Sequence, residues 1–133
     1  MRTLLIAVVC AGVLAHSGIS YAAQTISTSM IFADVGQARA ECVVINGGTT
    51  ALPVTLKIID TGGATKTTSN CDGTLAAGDF CALIMPIPFL GSFACTATAG
   101  STANLRGALV LEDEVVDSFG LLQFRAVRSE SLR

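Results

Sequence analysis

The chain has no tryptophan, one histidine and one tyrosine, and His16 and Tyr21 both fall within the first 22 residues. Those residues read as a secretory signal peptide. Arg2 carries the positive charge, Thr3 to Ala15 form a short apolar run, and Ser20-Tyr21-Ala22 puts small residues where a signal peptidase reads. Cleavage after Ala22 is expected. It leaves a single domain of about 111 residues, 23–133, that has no His, Tyr or Trp. Without histidine, the usual Ser-His and Cys-His nucleophile pairs cannot be built. The two lysines, Lys57 and Lys66, lack the S-x-x-K spacing of the lysine variant. Without Trp or Tyr, the common stacking platforms for sugars and single-stranded nucleic acids are missing.

Basic residues are also scarce. Cleavage removes one of eight and none of the ten acids, so the formal net charge moves from −2 to about −3. That argues against nucleic acid and against an anionic membrane surface, both of which need a clustered positive footprint. No apolar run reaches the roughly 20 residues that span a bilayer. Cys10 follows Ala7-Val8-Val9 and lacks the leucine of a lipidation site, so the mature chain is expected to carry no membrane anchor. No catalytic, cofactor-binding or metal-binding residue is assigned, and no cofactor. The expected location is the periplasm or the extracellular space.

Thr, Val, Ile, Ala and Gly recur in short apolar segments separated by Gly, Asn and Asp. This pattern predicts an all-β antiparallel sandwich of seven to eight strands. Thr25–Phe32 and Arg39–Ile45 are the first two expected strands, and Asn46-Gly47-Gly48 turns the chain after them. Val54, Leu56 and Ile58 alternate cleanly with their neighbours, and Asp60-Thr61-Gly62-Gly63 predicts a hairpin into Ala64–Ser69. Residues 71–79 read as an ordered loop. Phe80–Ile87 is apolar enough for a central strand, ended by Pro86 and Pro88. Phe93, Cys95, Ala97 and Ala99 share one face of the next strand. Leu105, Gly107, Leu109 and Leu111 share a face of the one after. A last strand, Leu121–Val127, is expected to bury Leu122, Phe124 and Ala126, with a frayed tail from Arg128 to Arg133.

Cys42, Cys71, Cys81 and Cys95 are an even set in a small exported domain, which predicts two disulfides in one of three pairings. No C-x₂-C spacing favours zinc. The segment Gly91-Ser92-Phe93-Ala94-Cys95 resembles the G-x-Y-x-C segment of strand F in immunoglobulin-like domains, with Phe93 in the tyrosine's place, which implies a sandwich of immunoglobulin-like or fibronectin-III-like architecture. Cys42, on the second expected strand, matches the strand-B cysteine of that family. The resemblance implies a Cys42–Cys95 bridge between the sheets, which leaves Cys71–Cys81 to close a short loop.

The remaining candidates are few. Glu112, Asp113, Glu114 and Asp117 form an acidic cluster between two expected strands, which reads as a solvated turn or, alternatively, a calcium loop. Most of Phe32, Phe80, Phe89, Phe93, Phe119 and Phe124 are expected in the core, with Phe89 and Phe119 the best exposed contacts. The expected function is non-enzymatic: an exported module that binds an unidentified protein or serves a structural role. Two alternatives stand beside it. One is a surface-polymer subunit, such as a pilus or coat, that self-assembles by adding Gln24–Phe32 to a neighbour's sheet. The other is calcium or small-ligand binding.

Overall fold

Period-2 alternation is strongest in Val54–Asp60 and Gly91–Ala99, and these two segments pair at the centre of one sheet. A computed structural model describes residues 22–133 apart from Val35, Pro88 and Phe89; the signal-peptide reading therefore lies outside the described residues, except for Ala22. The strands in chain order are β1 (Gln24–Ser27), β2 (Ile31–Ala33), β3 (Gln37–Asn46), β4 (Val54–Asp60) and β5 (Thr65–Ser69), then β6 (Phe80–Pro86), β7 (Gly91–Ala99), β8 (Leu105–Val116) and β9 (Leu122–Ser131). One sheet has the order β1-β7-β4-β5, with β2 also on β7, and the other has the order β6-β3-β8-β9. Every ladder is antiparallel.

Inward side chains of both sheets meet in one core. Phe93, Leu56, Ile58, Leu109, Leu111 and Val44 are its largest fully buried members. Each such side chain stabilises the fold by about 1.5–3 kcal/mol relative to exposure. Cys42 on β3 is bonded to Cys95 on β7 across the two layers, with Cα atoms 5.6 Å apart. Cys71, in the loop after β5, is bonded to Cys81 on β6, also at 5.6 Å between Cα atoms.

The first strand is interrupted where a continuous one was expected. Ile26 sits at an even position and Ile31 and Ala33 at odd ones, yet all three point towards the core. Thr28, Ser29 and Met30 oppose only Ala94 and Cys95, and this one-residue bulge corrects the parity. Thr28 replaces the lost ladder: its N–H donates to the Cys95 carbonyl at 2.9 Å and its hydroxyl accepts the Cys95 N–H at 3.0 Å.

Three other expectations are corrected. β6 is an edge strand, paired with β3 alone, not a central one. Leu122, Phe124 and Ala126 are not buried: a register shift beside Val127 turns them to the outside, so that Arg128 and not Ala126 shares the inward side with Leu111. Residues 128–133 do not fray. β9 continues to Ser131, Leu132 is buried, and its N–H donates to the Gly107 carbonyl at 2.9 Å. Gly107 explains the fit, because a Cβ there would strike the Val43 carbonyl and the Leu132 side chain. Arg133 and Ser27 then exchange backbone hydrogen bonds at 3.1 Å each.

The hairpin after β4 forms as its sequence predicts. Asp60 Oδ1 accepts the Gly62 and Ala64 N–H groups at 2.9 Å each, and Gly63 takes a positive φ of 77°. Lys66 Nζ lies 2.6 Å from Asp60 Oδ2. The Lys66 hydrogen bond, then that of the Ala64 N–H, hold the Asp60 carboxyl below its ordinary 3.8. Asn46 is fully buried at the end of β3 and organises the next corner: Nδ2 donates to the Thr50 and Leu75 carbonyls, and Oδ1 accepts the Gly48 N–H.

Candidate interaction surface

Alternation gives each sheet one inward and one outward face. The outward face of the β1-β7-β4-β5 sheet is hydroxylated. Thr25, Thr98 and Thr55 form one row, and Ser27, Thr96, Lys57 and Thr68 the next. The Thr25 and Thr98 hydroxyls are 2.8 Å apart, and Thr68 Oγ1 donates to the Leu56 carbonyl at 3.0 Å. Its end beside β2 carries Phe32, 50% exposed and opposite Ser92; the rest is an ordinary solvated face.

The outward face of the β6-β3-β8-β9 sheet is its opposite. Cross-strand register sets Phe80, Ile45 and Arg106 in its first row. Ala82, Val43, Ala108 and Ser131 make the second row, and Ile84, Glu41, Val110 and Ser129 the third. Phe80 is 69% exposed, Ile84 49% and Ile45 45%. The cause is in the sequence. Cys42-Val43-Val44-Ile45 and Phe80–Met85 are apolar in both registers, so burying one face leaves the other apolar as well.

A fourth row, Pro86, Arg39, Glu112 and Ala126, carries charge that is internally satisfied. Arg39 Nε donates to the Glu112 carboxylate, and the guanidinium lies over the Phe124 ring, 3.7 Å from its centroid. Beyond that row the β8–β9 hairpin overhangs, with Val116 and Leu122 outward and Phe119 86% exposed at its turn.

The acidic cluster does not form a solvated turn. Glu112, Asp113 and Glu114 lie within β8, where alternation sends Asp113 to the side opposite Glu112 and Glu114. Glu112 is held by Arg39. Asp117 builds the turn: Oδ1 accepts the Phe119 and Leu121 N–H groups at 2.8 and 2.9 Å, and Oδ2 accepts from Gln123. Among the described residues no group of three or more His, Cys, Asp or Glu side chains is placed to hold a metal ion.

The phenylalanines also depart from expectation. Of the five described, Phe93 alone is in the core; Phe32, Phe80 and Phe124 are exposed alongside Phe119, and Phe89 lies outside the described residues. At the Phe80 end of the apolar face, the Cys71–Cys81 bridge lies in a polar depression of about 360 Å³ that also includes Asp72, Thr74 and Asp79. The turn beside it places Cys71 and Asp72 at φ of 48° and 55°, closed by the Gly73 N–H on the Asn70 carbonyl at 2.9 Å. Gln24–Phe32, the expected donor segment, lies on the edge of β7. Among the described residues no helix is long and apolar enough to cross a membrane.

No family model matches the chain, and no curated protein matches it. Among solved structures, the crystal structure of Thermotoga maritima 1070 is similar over 77% of this chain and 90% of that chain, at 10% sequence identity and a TM-score of 0.42.

Proposed function

We propose that the chain is an exported, non-enzymatic, immunoglobulin-like β-sandwich module that docks a protein on the outward face of the β6-β3-β8-β9 sheet. The observation that carries this reading is the contrast between the two outward faces, one mainly of threonine hydroxyls with a single exposed Phe32 at its end, the other centred on Phe80, Ile45, Val43 and Ile84. A contiguous apolar patch on a small domain marks an interaction site. Export is supported by the two disulfides, which persist in oxidising compartments, together with the charged, apolar and small-residue order of residues 1–22. The immunoglobulin-like assignment is supported by the Cys42–Cys95 bridge and by the β3–β6 and β4–β7 pairings, which correspond to B–E and C–F in that family. β1 and β8 depart from it: β1 lies on β7 and β8 on β3, each on the edge the other would occupy.

The test is a photo-crosslinking residue placed at Ile84 or at Thr98 in the chain as it is exported from cells. Protein adducts at position 84 and none at position 98 are expected. No adduct at 84, or equal adducts at both, overturns the reading.

A second reading, a polymer subunit that grows by strand addition, is favoured by the placement of residues 24–33. They pair with β7, far along the chain, through ladders of only four and three residue pairs. Light scattering that shows an open series of species would support it; a closed size at every concentration would refute it.

A further inference from the structure

We infer that the occupant of this apolar face is a second copy of the same chain, the two copies packing face to face about a two-fold axis. The inference rests on the docking reading and names its partner.

Charge on the face is self-complementary. Val43 and Ala108 are cross-strand partners at its centre. Glu41 lies one row to one side of that pair, on β3, and Arg106 one row to the other side, on β8. Glu41 is half-buried and takes part in none of the ion pairs among the described residues. Arg106 is exposed; its Nη1 donates to the Ala103 and Leu105 carbonyls.

A two-fold axis lying in the interface between Val43 and Ala108 carries each Glu41 onto the partner's Arg106. The resulting ion pair forms twice. With strands about 4.8 Å apart and residues about 3.4 Å apart along them, the strands of the two copies then cross at about 40°, near the roughly 30° of packed twisted sheets. The same operation sets Ile84 against the partner's Ile45 and Phe80 beside the partner's Ala82, large side chain against small. An axis perpendicular to the strands through the same point would instead press Glu41 onto the partner's Ile45. The carboxylate would then be buried without a counter-charge, which selects the first arrangement.

Four strands by six residues cover about 400 Å² per copy, so the pair buries roughly 800 Å², the size of a weak, transient interface. The dimer is therefore expected to be weak, with a dissociation constant on the order of 10 μM.

Sedimentation velocity of the exported, oxidised protein tests this, with intact mass and thermal melting confirming that each variant keeps both disulfides and its fold. A closed dimer is expected. Ile84→Lys should weaken it at least about tenfold, and Thr98→Lys should leave it unchanged. Glu41→Arg and Arg106→Glu should each weaken it about fivefold or more, and the double exchange should bring affinity back to within about threefold of the starting protein. A monomer up to about 1 mM, species larger than two copies, or no recovery in the double exchange overturns the inference. If that monomer still crosslinks to a different protein at position 84, the docking reading survives; if it crosslinks to nothing, both fall.

Discussion

Removing the Cys42–Cys95 bridge is expected to cost more than twice what removing Cys71–Cys81 costs. The sequence separations are 53 and 10 residues. Loop-closure entropy alone then assigns about 4.2 and about 2.7 kcal/mol. Local structure widens the gap. Cys42 and Cys95 are fully buried, so alanines there leave a void between the sheets that adds about 1–2 kcal/mol. Cys71 and Asp72 are held at left-handed φ values, so releasing the short bridge lets that turn relax and returns about 1 kcal/mol. The expected losses are about 5–6 kcal/mol for Cys42→Ala/Cys95→Ala and about 2 kcal/mol for Cys71→Ala/Cys81→Ala. Small domains hold about 5–15 kcal/mol in all, so the first variant sits at the edge of unfolding and the second stays folded. Urea titration followed by circular dichroism reads the difference. At about 1–3 kcal/mol per molar of urea, the second variant's midpoint should fall by about 1 M, while the first should show little or no native baseline. Equal midpoints, or the reverse order, would refute the reasoning.

Three further outcomes are expected. Gly107→Ala should destabilise by about 3 kcal/mol or more, because the new methyl meets the Val43 backbone as well as Leu132, and should lower the melting temperature by about 10 °C or more; an unchanged melt counts against the close approach. Glu112→Gln should cost about 1–3 kcal/mol by leaving Arg39 without its counter-charge, and adding Arg39→Met should recover most of it; chemical denaturation of the single and double variants would show whether that coupling exists. Because the Asp60 carboxyl is held below 3.8, its support of the hairpin is present above about pH 4 and is lost as pH falls through the lowered value. A carboxyl titration by NMR should give a midpoint below 3.8 that rises in Lys66→Ala, and a midpoint indifferent to that change would exclude the Lys66 contact as its cause.

Strand identity was legible wherever one face is buried and the other solvated. Val54–Asp60 and Gly91–Ala99 alternate, and they form β4 and β7 as the pattern implies. Reading failed where parity changes within a strand. Nothing in Thr28-Ser29-Met30 or near Val127 announces an extra residue, because a bulge is set by which residues must face the core on either side of it. The Val127 shift turned Leu122 and Phe124 from expected core residues into surface ones. The candidate surface was misread for a related reason. Phe80–Ile87 is apolar on both sides, and that pattern suits a strand covered on both faces. Its position at an open edge depends on how many strands line up beside it, which local periodicity does not encode. The order of the tail was hidden in Gly107, whose missing side chain makes room for a residue 25 positions later.

The edge position of β1 and β2 also sets an order of events. Among the described residues, the backbone of 24–33 pairs with residues 91–99 and, at Ser27, with Arg133, and hydrogen bonds involving side chains reach Thr102 and Arg128. The first segment of the domain to be synthesised is therefore among the last to acquire its hydrogen bonds. Pairings this distant make folding slow, since a long loop must close before any ladder stabilises it. During synthesis residues 24–33 therefore stay unpaired until residues 91–99 have been made, while β4–β5 and β3–β6 can already form.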